Sequence, residues 1–313
     1  IARRVRESGV YSLVKSNLIN KKDFDRLRPK GIILSGGPNS VSSTKKYKLP
    51  SFIFNSGIPI LGICYGMQLI SDYFGGKVAP SIKKEYGHAK FKIIHKTDLF
   101  DSVKNENEFN VWMSHSDKVI QNPPGFKIIG SSNNTKNAAI YNIEKSIYCL
   151  QFHPEVTHTK NGEIILNNFI YKICGCIKTW TTTNIIKDIT NSLKKQVGDK
   201  KVILALSGGV DSTVVATLLN NALPNQLTCV FIDTGLMRKN EVQEVENNIA
   251  NKLGIKLVTV NAKSIFFKKL KGISSPEKKR KIIGETFIRL FEAHANKIKN
   301  IDFLAQGTIY PDV

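Results

Sequence analysis

Ile60-Leu-Gly-Ile-Cys-Tyr-Gly66 is the stretch that decides the fold of the first half of the chain. It joins a short apolar run, Pro59 to Ile63, to the amphipathic segment Met67 to Phe74, which ends at Gly75-Gly76. A glycine on each side of Cys64 favours a tight turn, because glycine adopts backbone conformations that other residues avoid. The stretch therefore predicts a strand, a sharp turn and a helix, the repeating unit of an α/β fold.

Two further apolar runs in the first half end in loops with chemically useful residues. Gly31 to Ser35 leads into Gly36-Gly37-Pro38, and Ser146 to Phe152 leads into His153-Pro154-Glu155. The carboxyl ends of parallel strands share one edge of a sheet, where open α/β sheets bind their ligands. We therefore expect a mostly parallel sheet flanked by helices, with a site at this edge.

A second α/β unit is predicted after a polar stretch without periodicity near residues 176–184. Strand Val202 to Leu206 leads into Ser207-Gly-Gly-Val-Asp-Ser212 and a helix over 213–223, and strands and helices then alternate up to Val260. This alternation predicts a second mostly parallel sheet. The predicted organisation is a domain over 1–177, a linker over 178–184 and a domain over 185–313.

The composition is that of a globular protein. Of the 313 residues, 41% are hydrophobic and 23% charged, near the averages for globular domains. The chain has neither an apolar run of about 18 residues nor the start of a signal peptide, so we expect a cytoplasmic protein without a membrane partner. The five cysteines do not suggest a disulfide framework, and the pair Cys174 and Cys176 lacks the further ligands of a zinc site.

The net charge of +21 raises the question of a nucleic-acid partner, because clustered Lys and Arg neutralise phosphates. The lysines are spread through every segment, however. The densest basic run, residues 276–281, leads into a predicted helix, where such a run is usually a solvated face. We therefore expect no nucleic-acid partner, although the positive field also favours a small phosphate-bearing ligand.

Cys64 has the surroundings of a nucleophile. A thiol at a strand-to-helix turn lies over a helix N-terminus, whose positive end favours the thiolate, and the unpaired N–H groups of that turn can bind an oxyanion. A buried structural cysteine is the alternative. His153, which could protonate a leaving amine, and Glu155, which could orient its imidazole, favour the catalytic interpretation.

Together, Gly62-Ile-Cys-Tyr-Gly66 and Gln151-Phe-His-Pro-Glu155 resemble the class I glutamine amidotransferase family, which releases ammonia from glutamine through a glutamyl thioester. The resemblance implies that Cys64 is the nucleophile, His153 the general acid and base, and Glu155 its orienting carboxylate. It also implies oxyanion donors and pocket residues. The donors are the N–H groups of Gly37 and Tyr65, and the glutamine pocket includes Gln68, Ser114, His115, Ser116 and Asp117, with His115 in the pocket wall rather than acting as a rival base.

The loop Ser207-Gly-Gly-Val-Asp-Ser212 is a predicted phosphate site, because glycines let the backbone approach anionic oxygens and the following helix supplies free N–H donors. It lacks the Gly-Lys-Ser/Thr ending of a Walker loop. It closely resembles the PP-loop of enzymes that split ATP into AMP and pyrophosphate. The resemblance implies ATP contacts from Ser207, Gly208, Gly209, Val210, Asp211 and Ser212, a magnesium ligand in Asp211, and a nucleotide or magnesium contact from Asp233.

The order of the two modules, and the segments 173–176 with Trp180, 279–284 and 304–312, resemble the GMP synthase family. That resemblance implies three substrates: glutamine, ATP and xanthosine 5'-monophosphate. It implies Mg²⁺ as the metal, GMP, AMP and pyrophosphate as products, and Arg280 as a substrate contact. It also implies a homodimer for the full-length protein.

In the GMP synthase family a strand precedes the position of Ile1, and a dimerisation domain that completes the substrate site follows that of Val313. We therefore expect residues 1–313 to hydrolyse glutamine weakly or bind ATP, but not to make GMP alone. Two alternatives stay open: a glutaminase joined to a PP-loop enzyme for tRNA or NAD precursors, and a regulatory or RNA-binding remnant. The intact Cys64, His153 and Asp211 argue against the remnant.

Overall fold

A computed structural model describes residues 1–43, 46–103, 108–298 and 300–307, with the side chains of residues 82 and 83 excepted. Within it the chain divides into two compact units, Ile1–Thr181 and Thr182–Val313. A helix begins at Thr182, inside the segment predicted as a linker. None of the helices in the described ranges is long and apolar enough to cross a bilayer.

The first unit contains five α-helices and seven β-strands in its described residues. The helices are α1 Ala2–Glu7, α2 Lys21–Leu27, α3 Ser51–Phe54, α4 Tyr65–Tyr73 and α5 Gly162–Asn167, which continues as a π-helical turn over Asn168–Ile173. A 3-10 turn covers Asp98–Phe100. The strands are β1 Ile32–Leu34, β2 Ile60–Ile63, β3 Lys77–Ile93, β4 Glu108–Gln121, β5 Lys127–Ser132, β6 Ala139–Asn142 and β7 Ile147–Leu150.

The α/β class is confirmed, but the sheet of the first unit is mixed, so the expectation of a mostly parallel sheet is wrong here. Its strand order is β1-β2-β7-β6-β5-β3-β4. Only β1, β2 and β7 run parallel, and all pairs from β7 to β4 are antiparallel. The difference comes mainly from β3 and β4, two long strands that pair directly with each other. In β4 buried and exposed residues alternate, as in a sheet with one buried face.

The parallel part of this sheet positions the candidate site. All four residues of β2 are buried and pair with β7, and the first three also pair with β1 on the other side. Helix α4 packs on the sheet through Met67 and Ile70, both 0% exposed. Full burial of an apolar side chain of this size stabilises a fold by about 1.5–3 kcal/mol, so the turn between β2 and α4 is anchored at both ends.

The second unit contains α6 Thr182–Val197, β8 Lys201–Leu206, α7 Val210–Ala222, β9 Leu227–Asp233 and α8 Glu241–Glu246, which continues as a π-helical turn over Asn247–Lys252. It is followed by β10 Lys256–Asn261, α9 Lys263–Leu270, α10 Pro276–Ala295 and β11 Ile301–Ala305. The sheet has the order β10-β9-β8-β11, and every pair is parallel, as predicted. Residues 308–312 of the segment that resembled GMP synthases lie outside the described residues.

Candidate functional site

Cys64 lies in the single-residue turn between β2 and α4. Its backbone has φ 53° and ψ −108°, a left-handed conformation that is costly for any residue with a Cβ. This conformation lets α4 begin at Tyr65, two residues before the helix predicted from the sequence. The thiol therefore lies at the N-terminus of α4, where the helix dipole favours an anion.

Two glycines make this turn sterically specific. A Cβ on Gly66 would lie 2.2 Å from the carbonyl oxygen of Leu34 in β1, and a Cβ on Gly62 would lie 2.6 Å from Ile70 Cδ1 in α4. Carbon atoms do not approach backbone oxygens this closely. The helix can therefore contact β1 at residue 66 only if that residue has no side chain, which explains the glycines flanking Cys64.

His153 lies beside the Cys64 thiol and is held by Glu155. The Nδ1 atom of His153 lies 2.9 Å from Glu155 Oε1, and a single point beside Gly36 lies 2.9 Å from His153 Cε1 and 3.6 Å from Cys64 Cβ, so the imidazole and the thiol are neighbours. Burial by itself would lower the pKa of His153, but the contacts with Cys64 and Glu155 outweigh it and raise the pKa to about 10. The imidazole is thus suited to carry a proton at neutral pH, as a general acid requires.

The loop after β1 closes the site on its other side. A Cβ on Gly36 would lie 2.9 Å from His153 Cε1 and 3.6 Å from Cys64 Cβ. A Cβ on Gly37 would lie 3.2 Å from the ring of Tyr65. Tyr65 is the first residue of α4, so its N–H has no acceptor within the helix. The sequence-predicted oxyanion donors, Gly37 and Tyr65, are therefore neighbours.

Of the predicted glutamine-pocket residues in α4 and β4, only Gln68, His115 and Asp117 form a buried polar cluster. Gln68 Nε2 donates to the carbonyl oxygen of Asp117 over 2.8 Å, and His115 Nδ1 lies 3.0 Å from the same oxygen. Ser114 contributes its carbonyl oxygen, which lies 3.5 Å from Cys64 Sγ. The side chain of Ser114 is exposed and that of Ser116 is half-buried, whereas His115 and Asp117 face the interior.

Glu85, which the sequence analysis did not single out, explains the orientation of His115. Its carboxylate accepts hydrogen bonds from Thr135 Oγ1 at 2.5 Å and Ser132 Oγ at 3.1 Å. His115 Nε2 lies 3.2 Å from Glu85 Oε2, close enough for an ion pair though poorly aligned for a hydrogen bond. His115 thus contacts Glu85 and a backbone carbonyl, and its place in the wall of a glutamine pocket stays a prediction.

We expect Glu85→Gln to destabilise the first unit by about 1–3 kcal/mol at neutral pH, the usual cost of disrupting a buried charged hydrogen-bond group. Burial alone would raise the pKa of Glu85, but the contacts from His115 and Thr135 outweigh it and lower the pKa below the ordinary 4.5. The stabilisation is therefore complete above pH 4.5 and is lost as the pH falls through the folded-state pKa. Urea unfolding at pH 7 and at pH 4 measures both effects.

Tryptophan fluorescence suits this measurement, because the two tryptophans of the chain, Trp112 and Trp180, both lie in the first unit. Glu108→Gln, at an exposed position of β4, is the matched control and should change little. Equal effects of the two substitutions at both pH values would contradict the stabilising role of the hydrogen bonds to Glu85.

In the second unit the predicted phosphate loop joins β8 to α7. Ser207 Oγ and Ser212 Oγ lie 3.0 Å apart, and the N–H of Gly209 donates to Ser207 Oγ over 3.3 Å. Gly208 has φ 81°, and a Cβ there would lie 2.8 Å from Val245 Cγ2 in α8. Asp211 and Val210 are exposed in the first turn of α7. The loop therefore presents a helix N-terminus and hydroxyl groups, as an anion site requires.

Asp233 and Arg280 have other partners in this structure. Asp233 ends β9, next to β8, and is buried. Its Oδ1 accepts from the N–H of Gly235, and its Oδ2 lies 3.2 Å from Lys263 Nζ. Arg280 lies on α10, where its side chain is 83% exposed and its guanidinium lies 3.8 Å from Glu277 Oε2. Lys263, which the sequence analysis missed, neutralises the carboxylate predicted to contact nucleotide or metal.

No group of three or more His, Cys, Asp or Glu side chains in the described ranges is arranged to hold a metal ion. Mg²⁺ usually takes one or two protein carboxylates and completes its shell with water and substrate phosphates. The exposed carboxylate of Asp211, in the loop that would hold the phosphates, suits that role. All five cysteines are free thiols, as expected.

Comparison with known proteins gives two family matches. The family model described as glutamine amidotransferase class-I matches residues 1–173, and the model described as NAD synthase matches residues 182–286. Each covers one of the two α/β units.

Curated proteins named glutamine-hydrolyzing GMP synthase are similar to the whole chain. The protein of Vibrio vulnificus (strain CMCP6) is 48% identical over 313 residues, which are 100% of this chain and 60% of the relative. That of Prochlorococcus marinus (strain MIT 9215) is 51% identical over 314 residues, which cover 100% of this chain and 59% of the relative. The chain thus spans about 60% of the length of the curated relatives it matches.

Proposed function

The chain belongs to the class I glutamine amidotransferase family, and from this membership we propose that it is the glutamine-hydrolysing and ATP-binding part of a GMP synthase. The observation that carries the proposal is the contact between Cys64, His153 and Glu155. The chain that contains this contact is similar over its whole length to proteins named GMP synthase. The α/β unit that follows supplies a phosphate loop, as a nucleotide-activating partner of a glutaminase requires.

In the proposed first reaction, the sulfur of Cys64 attacks the side-chain carbonyl carbon of glutamine. The carbonyl oxygen becomes an oxyanion, which the N–H groups of Gly37 and Tyr65 stabilise. His153 then donates its proton to the amide nitrogen, the C–N bond breaks and ammonia leaves. The raised pKa of His153 supports this role, because the proton is available at neutral pH.

The resulting glutamyl thioester is hydrolysed by water. His153, now neutral, removes a proton from the water molecule as its oxygen attacks the thioester carbonyl, and the carbon–sulfur bond breaks to give glutamate and the Cys64 thiolate. Glu155 keeps Nδ1 of the imidazole occupied in both steps, so that Nε2 faces the reacting atoms. Gln68, Ser114, His115, Ser116 and Asp117 are proposed to shape the glutamine pocket.

The proposed second reaction consumes the ammonia. The loop residues Ser207, Gly208, Gly209, Val210, Asp211 and Ser212 bind the phosphates of ATP, while the C2 oxygen of xanthosine 5'-monophosphate attacks the α-phosphorus and pyrophosphate leaves. Ammonia then displaces AMP from C2, giving GMP. Mg²⁺, held by Asp211 together with the phosphates, would neutralise the charge that develops on the departing pyrophosphate.

Further parts of the proposal concern the whole protein. Arg280 is a candidate contact for the acidic nucleotide substrate, and Asp233 a candidate contact for ATP or the metal once Lys263 is displaced. We further propose a cytoplasmic homodimer without a nucleic-acid partner. The exposed side chains of the basic run 276–281 at the start of α10 are consistent with a solvated surface.

The proposal is tested by substrate dependence. The protein expressed from its complete coding sequence is incubated with ATP and glutamine, with and without xanthosine monophosphate, and pyrophosphate, AMP and GMP are measured. We expect pyrophosphate release and GMP formation only with the nucleotide. Residues 1–313 alone are expected to release ammonia from glutamine weakly and to make no GMP, and robust GMP formation by this chain would contradict that expectation.

The match of residues 182–286 to the NAD synthase model makes amidation of an NAD precursor the second candidate. Pyrophosphate release that depends on deamido-NAD, and not on xanthosine monophosphate, would establish that candidate. Dependence on tRNA would point instead to a tRNA-modifying PP-loop enzyme. In both cases the glutaminase half of the proposal would stand and the GMP synthase half would fall.

A further inference from the structure

The backbone of His153 is attached to strand β4. Strand β4 lies at the end of its sheet, and its free edge is covered by the segment 153–160 within the first unit. The N–H of His153 donates to the carbonyl oxygen of Trp112 over 3.0 Å, and the N–H of Lys160 donates to that of Asn110 over 2.9 Å. The catalytic segment is thus fixed by the hydrogen-bonding groups of an edge strand, which would otherwise be unpaired.

The second half of the link between Trp112 and His153 passes through a side chain. In a regular antiparallel pair the N–H of Trp112 would donate directly to the carbonyl oxygen of His153. Here the Trp112 N–H donates to Thr159 Oγ1 over 3.0 Å, and Thr159 Oγ1 donates to the His153 carbonyl over 2.6 Å. The Thr159 hydroxyl is therefore inserted between the Trp112 N–H and the His153 carbonyl, and the two backbones are farther apart on that side.

We propose that Thr159 is a positioning residue for His153, and that its hydroxyl sets the rotation of the His153 backbone that directs the imidazole toward Cys64. The inference rests on the proposed glutaminase function. His153 has two short connections to β4, one direct and one through the hydroxyl, and their unequal lengths fix the orientation of the residue between them. Without the hydroxyl, the N–H of Trp112 can donate directly to the carbonyl oxygen of His153. The backbone of His153 then rotates, and its imidazole moves.

Only a group that is both donor and acceptor can fill this position. A hydroxyl accepts from the Trp112 N–H and donates to the His153 carbonyl at the same time. Thr159 is 6% exposed, so its hydroxyl is largely shielded from bulk water. Valine has the shape of threonine without this ability, and serine keeps the ability without the methyl group. The two substitutions therefore separate the hydroxyl from the bulk of the side chain.

The experiment compares Thr159→Val and Thr159→Ser in residues 1–313. We expect Thr159→Val to lower kcat for glutamine hydrolysis by roughly 10- to 100-fold, because sub-ångström misplacement of a catalytic group is costly, with KM changed less than about twofold. Thr159→Ser should stay within about threefold of the original kcat. Thr157→Val, at an exposed position of the same segment, is the matched control and should behave like the unaltered chain.

A second readout tests position rather than stability. The rate at which iodoacetamide modifies Cys64, followed by peptide mass spectrometry from pH 5 to 10, reports the contact between the thiol and His153. Thr159→Val should shift this pH profile, and Thr159→Ser should restore it. If Thr159→Val does not fold, as judged by circular dichroism, Thr159→Ala replaces it with the same expected result.

Unchanged kcat and an unchanged alkylation profile in Thr159→Val, with only a lower Tm, would overturn the inference, because the hydroxyl would then stabilise the fold without positioning His153. If the protein expressed from its complete coding sequence also releases no ammonia from glutamine, the proposed function is refuted. The alkylation profile would still decide the role of Thr159, because it requires no substrate.

Discussion

Replacing Cys64 with alanine is expected to lower kcat for glutamine hydrolysis by roughly 10⁴-fold or more, because the covalent route then has no nucleophile. The fold should survive, since alanine keeps the Cβ of Cys64 and removes only its sulfur, which hydrogen-bonds to the Ser114 carbonyl. Ammonia supplied directly should still support GMP formation in the full-length protein. Ammonia release from glutamine and ammonia-driven GMP formation are the two measurements.

Cys176→Ala is the matched control for Cys64→Ala. Cys176 is a partly buried thiol of the same unit whose pKa burial raises, so it is a poor nucleophile. Its substitution should leave both activities intact. If Cys64→Ala kept glutamine-dependent activity, the assignment of the nucleophile would be wrong, and with it the proposed thioester.

Glu155→Gln is expected to lower kcat for glutamine hydrolysis by roughly 10²- to 10⁴-fold, as in other catalytic sites where the carboxylate behind a histidine is neutralised. Glutamine can present its amide N–H to Nδ1 and favour the wrong tautomer. The loss of the carboxylate also lowers the pKa of His153, since burial already opposes protonation and the Glu155 contact is one of those that raise it.

The pH dependence provides the sharper test of Glu155→Gln. In the unaltered chain the contacts with Cys64 and Glu155 raise the pKa of His153 to about 10, so kcat/KM, which reports the titration of the free enzyme, should decline only as the pH approaches that value. In Glu155→Gln the decline should begin at lower pH. Kinetics from pH 6 to 10 measure this, with Glu163→Gln, at an exposed position of α5, as the control. An unchanged alkaline decline would show that Glu155 does not govern the proton of His153.

The parts of the fold that carry the site were predictable because their sequences are short and unambiguous. The apolar runs around 60–63, 147–150 and 202–206 each end at glycines, prolines or polar residues, and the structure places strands at all three. Cys64 and His153 are neighbours because β2 and β7 are paired in parallel. Parallel strands that end together bring such residues to one edge of a sheet.

The antiparallel half of the first unit was missed for a physical reason. Pro80 pairs with Asp117 but Glu85 pairs with His115, so β3 advances five residues while β4 advances two. Such a bulge breaks the alternation of buried and exposed residues, and Glu85 then reads as part of the charged run Lys83-Lys-Glu85. Its burial becomes evident only when Ser132 and Thr135 are brought alongside by the sheet.

Thr159 and Lys263 escaped prediction because their roles depend on backbone groups or partners distant in sequence. The acceptor of the Thr159 hydroxyl is six residues away, but its donor, the N–H of Trp112, is 47 residues away. Lys263 meets Asp233 through the pairing of β9 with β10, which precedes α9. Threonine in a loop and lysine in a lysine-rich chain carry no periodic signal of their own.

The left-handed backbone of Cys64 places the reactive atom and the strained peptide in the same residue. A non-glycine residue in such a conformation costs about 1–3 kcal/mol, whereas glycine would adopt it freely. Selection for a more stable fold would therefore favour glycine at position 64, whereas selection for activity would favour cysteine. A cysteine retained at this position would mean that the gain in activity outweighed the loss of stability.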